Sequence, residues 1–100
     1  PLSLNKIKLK NTKNYNEKTI EATGAFIAIG HDPSTSLFKG KVEMDNENYI
    51  ITKSDSTETN IRGVFAAGDV QDKVFRQAVT AAGMGCMAAL EAEKFIAENY

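Results

Sequence analysis

The strongest constraint on the fold of this chain is the run Gly63-Val-Phe-Ala-Ala-Gly-Asp-Val70, in which four apolar residues end at a glycine and a carboxylate. A short apolar run bounded by turn signals suits a buried strand of a parallel sheet, and Val64 to Ala67 is read as such a strand. Gly68 has no Cβ, so the backbone there can turn sharply and approach a ligand. Asp69 then falls at the carboxyl end of the strand, the edge where open α/β sheets bind ligands. An ionised carboxylate only accepts hydrogen bonds, so it suits a hydroxyl-bearing group and repels a bare phosphate.

After the polar connection Gln71-Asp72-Lys73, an alanine-rich segment with apolar residues at helical spacing predicts a long helix from about Arg76 to Ala97. Its first N–H groups and the positive end of its dipole favour an electron-rich or anionic group. Gly83 and Gly85 each cost an isolated helix about 1 kcal/mol relative to alanine, which points to close packing against another backbone. Cys86 is expected to be an inert buried thiol, and Met84 and Met87 to be packing residues. Glu91, Glu93, Lys94 and Glu98 are expected to form a solvated helix face.

Upstream, Lys6-Ile-Lys-Leu-Lys10 alternates charged and apolar residues, as a half-exposed strand does. Asn11 to Asn16 reads as a polar turn, Thr19 to Ala22 as the antiparallel return, and Ala25 to Ile29 as a buried strand. Gly30-His31-Asp32-Pro33 suits a defined turn. His31 is the one histidine, and without a positioned partner it is assigned to turn packing rather than to proton transfer. The middle section offers a Leu37-Phe38 anchor, a strand at Tyr49-Ile-Ile-Thr52, and a loop-like polar run from Lys53 to Asn60 that reads as a solvated connection.

Gly63-Val-Phe-Ala-Ala-Gly-Asp-Val, Arg76-Gln-Ala-Val-Thr-Ala-Ala-Gly and Gly85-Cys-Met-Ala-Ala-Leu90 closely resemble the carboxyl-terminal end of bacterial thioredoxin reductases, and Gly24 to Pro33 extends the likeness upstream. The resemblance implies an α/β fold. Residues 1–30 would be the last strands of an NAD(P)H-binding domain. Residues 31–100 would be the carboxyl-terminal segment of a Rossmann-like FAD-binding domain of three-layer ββα type, and the fold would be incomplete. It also implies a cofactor-binding set of Gly68, Asp69, Val70, Arg76, Gln77 and Ala78, with no catalytic residue and no metal ligand. Asp69 would bond the flavin ribityl chain, while Arg76, Gln77 and Ala78 would lie beside the isoalloxazine ring, whose N1–C2=O2 edge suits the helix N-terminus. Arg62, Asn48 and Phe75 stand where relatives commonly carry proline, glycine and tyrosine. Related flavoproteins, such as the flavoprotein subunit of alkyl hydroperoxide reductase, share the Gly-Asp motif but usually lack the Arg-Gln-Ala run, which favours the thioredoxin reductases.

Two motifs of a complete reductase are missing from these 100 residues. No Gly-x-Gly-x-x-Gly follows a strand to hold a pyrophosphate. Cys86 is the one cysteine, so there is no dithiol pair for disulfide exchange. The expectation is therefore part of an oxidoreductase that uses FAD and NADPH. The remaining, amino-terminal part of the polypeptide would supply the redox cysteines, thioredoxin would be the partner, and the resemblance implies a homodimer. A second reading, of a different class, is a truncated non-enzymatic module that acts through self-association or partner binding. Twelve basic and thirteen acidic residues show no nucleic-acid footprint. No apolar run approaches the length of a membrane span, and a single cysteine is compatible with a reducing cytoplasm.

Overall fold

In the computed structural model, residues 2–28 and 30–100 are described. They fall into two compact units, Pro1–His31 and Asp32–Tyr100.

The first unit is built on a hairpin of β1 (Lys6–Lys10) and β2 (Glu17–Glu21), paired antiparallel with Ile7 opposite Ile20 and Lys10 opposite Glu17. The period-two alternation places Ile7 and Ile20 on the same face, and they are the half-buried pair of the ribbon. The polar turn forms as expected: the Asn11 side-chain oxygen accepts the Lys13 N–H at 2.8 Å, an Asx turn, and Tyr15 takes a left-handed φ of 61°. The expected strand at Ala25–Ile29 is corrected. Residues 25–28 form no strand and Phe26 and Ile27 are exposed, while Ile29 lies outside the described residues. A fully apolar strand needs cover on both faces, and a two-stranded ribbon supplies none.

The second unit gathers turns and single bridges against one long helix, α1 (Ala78–Asn99). Its buried apolar residues are Tyr49, Ile50 and Ala66, joined by buried Thr35, Thr57, Thr59 and Asp72. The strands expected at Val64–Ala67 and Tyr49–Thr52 are each reduced to one antiparallel bridge, Phe65 with Glu58 and Ile50 with Met44. Parallel strands need partners brought in by long crossovers, whereas the partners here are local. The Ala66 N–H donates to the Thr57 carbonyl at 2.8 Å, and the Ile51 N–H to the Glu43 carbonyl at 3.0 Å. Leu37 and Phe38 sit in a 3-10 turn, Ser36–Phe38, with both side chains exposed, so they anchor nothing within this unit.

Helix α1 begins two residues later than its periodicity suggests, because Arg76 takes a φ of 51°, outside the right-handed helical region. Three features read from the sequence of α1 are corrected. Gly83 and Gly85 face open space rather than a neighbouring backbone, Cys86 is exposed, and Glu91 leaves the solvated face to bond the 53–60 loop. Phe95 packs edge-on against Phe65, with centroids 6.2 Å apart, and it lies 3.0 Å from where a Cβ on Gly63 would sit. Among the described residues, no helix is long and apolar enough to cross a membrane.

Candidate functional site

The Gly-Asp turn and the start of α1 are adjacent in the second unit. Gly68, Asp69 and Val70 form a 3-10 turn entered at Gly68 with φ 77°. Its carbonyl accepts the N–H groups of Gln71 and Asp72 at 3.0 and 2.8 Å. A Cβ on Gly68 would lie 3.6 Å from that of Ala81, so the turn sits directly on the first turn of α1. The Val70 carbonyl accepts the Ile50 N–H at 2.8 Å, which ties the turn to the core. Asp69 is exposed, and its carboxylate has no hydrogen-bond donor among the described residues.

The seven residues between the turn and α1 are organised by Asp72, which the sequence reading left in a polar connection. Its carboxylate accepts three successive N–H groups, those of Val74, Phe75 and Arg76, each at 3.0 Å. The bonds from Phe75 and Arg76 are foremost in holding this carboxyl below the ordinary aspartate range. The signal was present in the sequence: an aspartate side chain in a connecting segment commonly accepts backbone N–H groups a few residues further on. With its N–H held there, Arg76 carries the left-handed φ that a non-glycine residue adopts only when its surroundings impose it.

The Arg76 side chain is held at its other end by Tyr49. The guanidinium lies 5.4 Å from the centroid of the Tyr49 ring and donates to its hydroxyl. Tyr49 is itself fixed: it is 5% exposed, and its N–H donates to the Asp45 carboxylate at 3.0 Å. That bond from Tyr49 is the main cause that lowers the Asp45 carboxyl, and the Lys73 ammonium, 3.1 Å away, adds to it. Gln77 is exposed at the N-cap of α1, where its N–H donates to the Thr80 hydroxyl at 3.1 Å. The N–H groups of Ala78 and Val79 have no acceptor among the described residues, as helix geometry requires of a first turn.

The site therefore offers one unpartnered carboxylate acceptor, a pair of free N–H donors at the positive end of a helix dipole, and one fixed guanidinium. These suit a group that presents hydroxyls to the first and an electron-rich edge to the others. All six residues expected from the sequence, Gly68, Asp69, Val70, Arg76, Gln77 and Ala78, belong to this region, while Asp72 and Tyr49 were missed. Tyr49 gave no local signal, since its partner lies 27 residues away in sequence. A separate hollow of about 670 Å³ lies between residues 58–65 and the end of α1, and none of the six residues lines it. His31 is exposed.

The model of the pyridine nucleotide-disulphide oxidoreductase family matches residues 3–85 of the chain. This chain belongs to that family. It is 59% identical over 96 residues to the thioredoxin reductase of Rickettsia bellii, covering 96% of this chain and 31% of the relative. It is 58% identical over 93 residues to the thioredoxin reductase of Penicillium chrysogenum. Among solved structures, thioredoxin reductase from Giardia duodenalis superimposes with a TM-score of 0.77 at 42% identity, over 95% of this chain and 31% of that one. The Lactococcus lactis enzyme gives 0.75 at 40% identity, over 94% and 31%. The chain thus spans about a third of the length of the relatives it matches.

Proposed function

We propose that these residues form the flavin-proximal part of a thioredoxin-disulfide reductase that uses NADPH and FAD. Residues 31–100 would contribute the carboxyl-terminal segment of a Rossmann-like FAD-binding domain. Residues 1–30 would contribute the last strands of the NAD(P)H-binding domain, in keeping with the division into compact units near His31. The observation that carries the reading is the exposed Asp69 carboxylate without a protein donor among the described residues, in a turn that packs on the first turn of α1, whose leading N–H groups are free.

In this reading Asp69 accepts hydrogen bonds from ribityl hydroxyls. The N–H of Ala78 faces the electron-rich edge of the ring, and Gln77 and Arg76 flank it, the guanidinium as a fixed positive charge. Gly68 and Val70 shape the turn that presents Asp69. The flavin supplies the hydride and electron chemistry, which these residues position and tune. The redox cysteine pair belongs to the rest of the polypeptide, as Cys86 is the one thiol here, and this stretch by itself does not turn over. Thioredoxin is the electron acceptor, and the working protein is a cytoplasmic homodimer. Exposed Val79, Leu90 and Ile96 on α1 supply apolar surface for the remainder of the flavin domain to cover.

The test is the complete protein purified with and without Asp69→Ala. The parent is yellow and reduces thioredoxin with NADPH, and the variant loses flavin on dilution. A colourless parent that binds no FAD would overturn the reading in favour of a non-enzymatic module.

A further inference from the structure

Arg76 is constrained at both ends. At the backbone, the carboxylate of Asp72 holds its N–H at 3.0 Å and the residue takes a φ of 51°. At the side chain, the guanidinium stacks 5.4 Å from the Tyr49 centroid and donates to its hydroxyl. A surface arginine ordinarily keeps much rotamer freedom. Here that freedom is removed by a buried aromatic that is itself pinned through Asp45, which Lys73 also contacts. A strained backbone and an immobilised cation at one residue are what a site needs when a charge must sit at a fixed place.

We propose that Tyr49 is a positioning residue for the flavin site: its hydroxyl and ring fix the Arg76 guanidinium where it stabilises the electron-rich reduced flavin. This rests on the reading that Arg76 lies beside the ring. Tyr49 acts only through Arg76, so removing its hydroxyl lets the guanidinium swing toward water, where solvent screens its charge. The reduced flavin then loses part of its stabilisation, and the reduction potential becomes more negative.

The experiment uses the complete flavoprotein and three variants, Tyr49→Phe, Arg76→Ala and the double substitution, read by flavin reduction potential, visible spectrum and FAD dissociation. Arg76→Lys replaces Arg76→Ala if alanine releases the loop. Arg76→Ala is expected to make the potential more negative and to perturb the spectrum. If it changes neither, Arg76 is not beside the flavin, and the role of Tyr49 is overturned with it. Tyr49→Phe keeps the buried ring and is expected to shift the potential the same way by a smaller amount. It should weaken FAD retention by at most about tenfold, the scale of one ordinary hydrogen bond, because Tyr49 acts only through Arg76. The double variant is expected to match Arg76→Ala alone. A Tyr49→Phe protein indistinguishable from the parent, or shifts that simply add in the double variant, would overturn the role of Tyr49 and leave that of Arg76 standing.

Discussion

The carboxylate of Glu91, on α1, accepts the backbone N–H of Thr57 at 2.8 Å and also the Thr57 hydroxyl, joining residues 34 apart in sequence. The neighbouring Ser56 hydroxyl donates to its other oxygen at 2.7 Å. Thr57 is 3% exposed, so the helix is bolted to the loop through a group the loop would otherwise leave buried and unsatisfied. A buried polar group without a partner is costly, which explains why this glutamate turns inward.

Replacing Glu91 with alanine is therefore expected to lower the melting temperature by several degrees, whereas replacing Glu93, which forms no comparable contact among the described residues, leaves it nearly unchanged. Paired thermal melts of the two variants check this. Equal melting temperatures would show that the loop contacts carry no stability.

The pH dependence follows from the same residue. Bonds from the Thr57 hydroxyl, then Ser56, then the Thr57 N–H lower the Glu91 carboxyl below its ordinary value of 4.5. A carboxyl depressed on folding stabilises the native state fully above its unfolded value, and that stability is lost as pH falls through the lower folded value. Stability is thus expected to be flat in this contribution above pH 4.5 and to fall below it. Glu91→Gln should flatten part of the acid limb in melts across that range, the remainder coming from Asp72 and Asp45, which are lowered in the same direction.

Asp72→Ala frees the N–H groups of Val74, Phe75 and Arg76 together, removing the backbone bond that accompanies the left-handed φ at Arg76. The loop is expected to relax, with faster amide exchange at residues 74–76 and weaker FAD retention in the complete protein. Asp72→Asn keeps one acceptor oxygen and should fall between alanine and the parent. Unchanged exchange in Asp72→Ala would show that the loop conformation is set elsewhere.

Asp69→Ala removes a carboxylate that has no protein partner among the described residues, so folding stability should stay within about 0.5 kcal/mol of the parent. FAD binding, in contrast, should weaken, because the carboxylate's contacts are to the ligand. A loss of about 1.5–3 kcal/mol is expected for hydrogen bonds to a charged group, measured by equilibrium dialysis of the complete protein. Retention equal to the parent would remove Asp69 from the site.

Gly63 takes φ 80°, and a Cβ there would lie 3.0 Å from the Phe95 ring. Gly63→Ala is expected to destabilise the second unit by at least about 1 kcal/mol from the left-handed conformation alone, with the ring displaced in addition. Shrinking the ring in Gly63→Ala/Phe95→Leu should recover the steric part and leave the conformational part, which denaturant titration of the parent, Gly63→Ala, Phe95→Leu and the double variant separates.

Much was legible in the sequence wherever the physics was local. The alternation of Lys6–Lys10 defined one strand of the hairpin, Asn11 its turn, and the alanine-rich periodicity a helix whose observed limits differ by two residues at each end. The Gly-Asp and Arg-Gln-Ala blocks pointed to the family. Val64–Ala67 and Ala25–Ile29 were less legible, because an apolar run specifies burial but not the partner strands that would complete a sheet.

What the sequence alone determined was thus the set of local conformations and the chemistry available at the turn: a carboxylate after glycine, then the free end of a helix. Only tertiary structure decided which polar groups work together. Glu91 reaches Thr57 across 34 residues and Arg76 reaches Tyr49 across 27, and neither separation has a periodicity that a helix or strand could announce. Those pairings form because burying Thr57 and Tyr49 leaves polar atoms that need partners, and the chain supplies them from wherever packing brings one within reach.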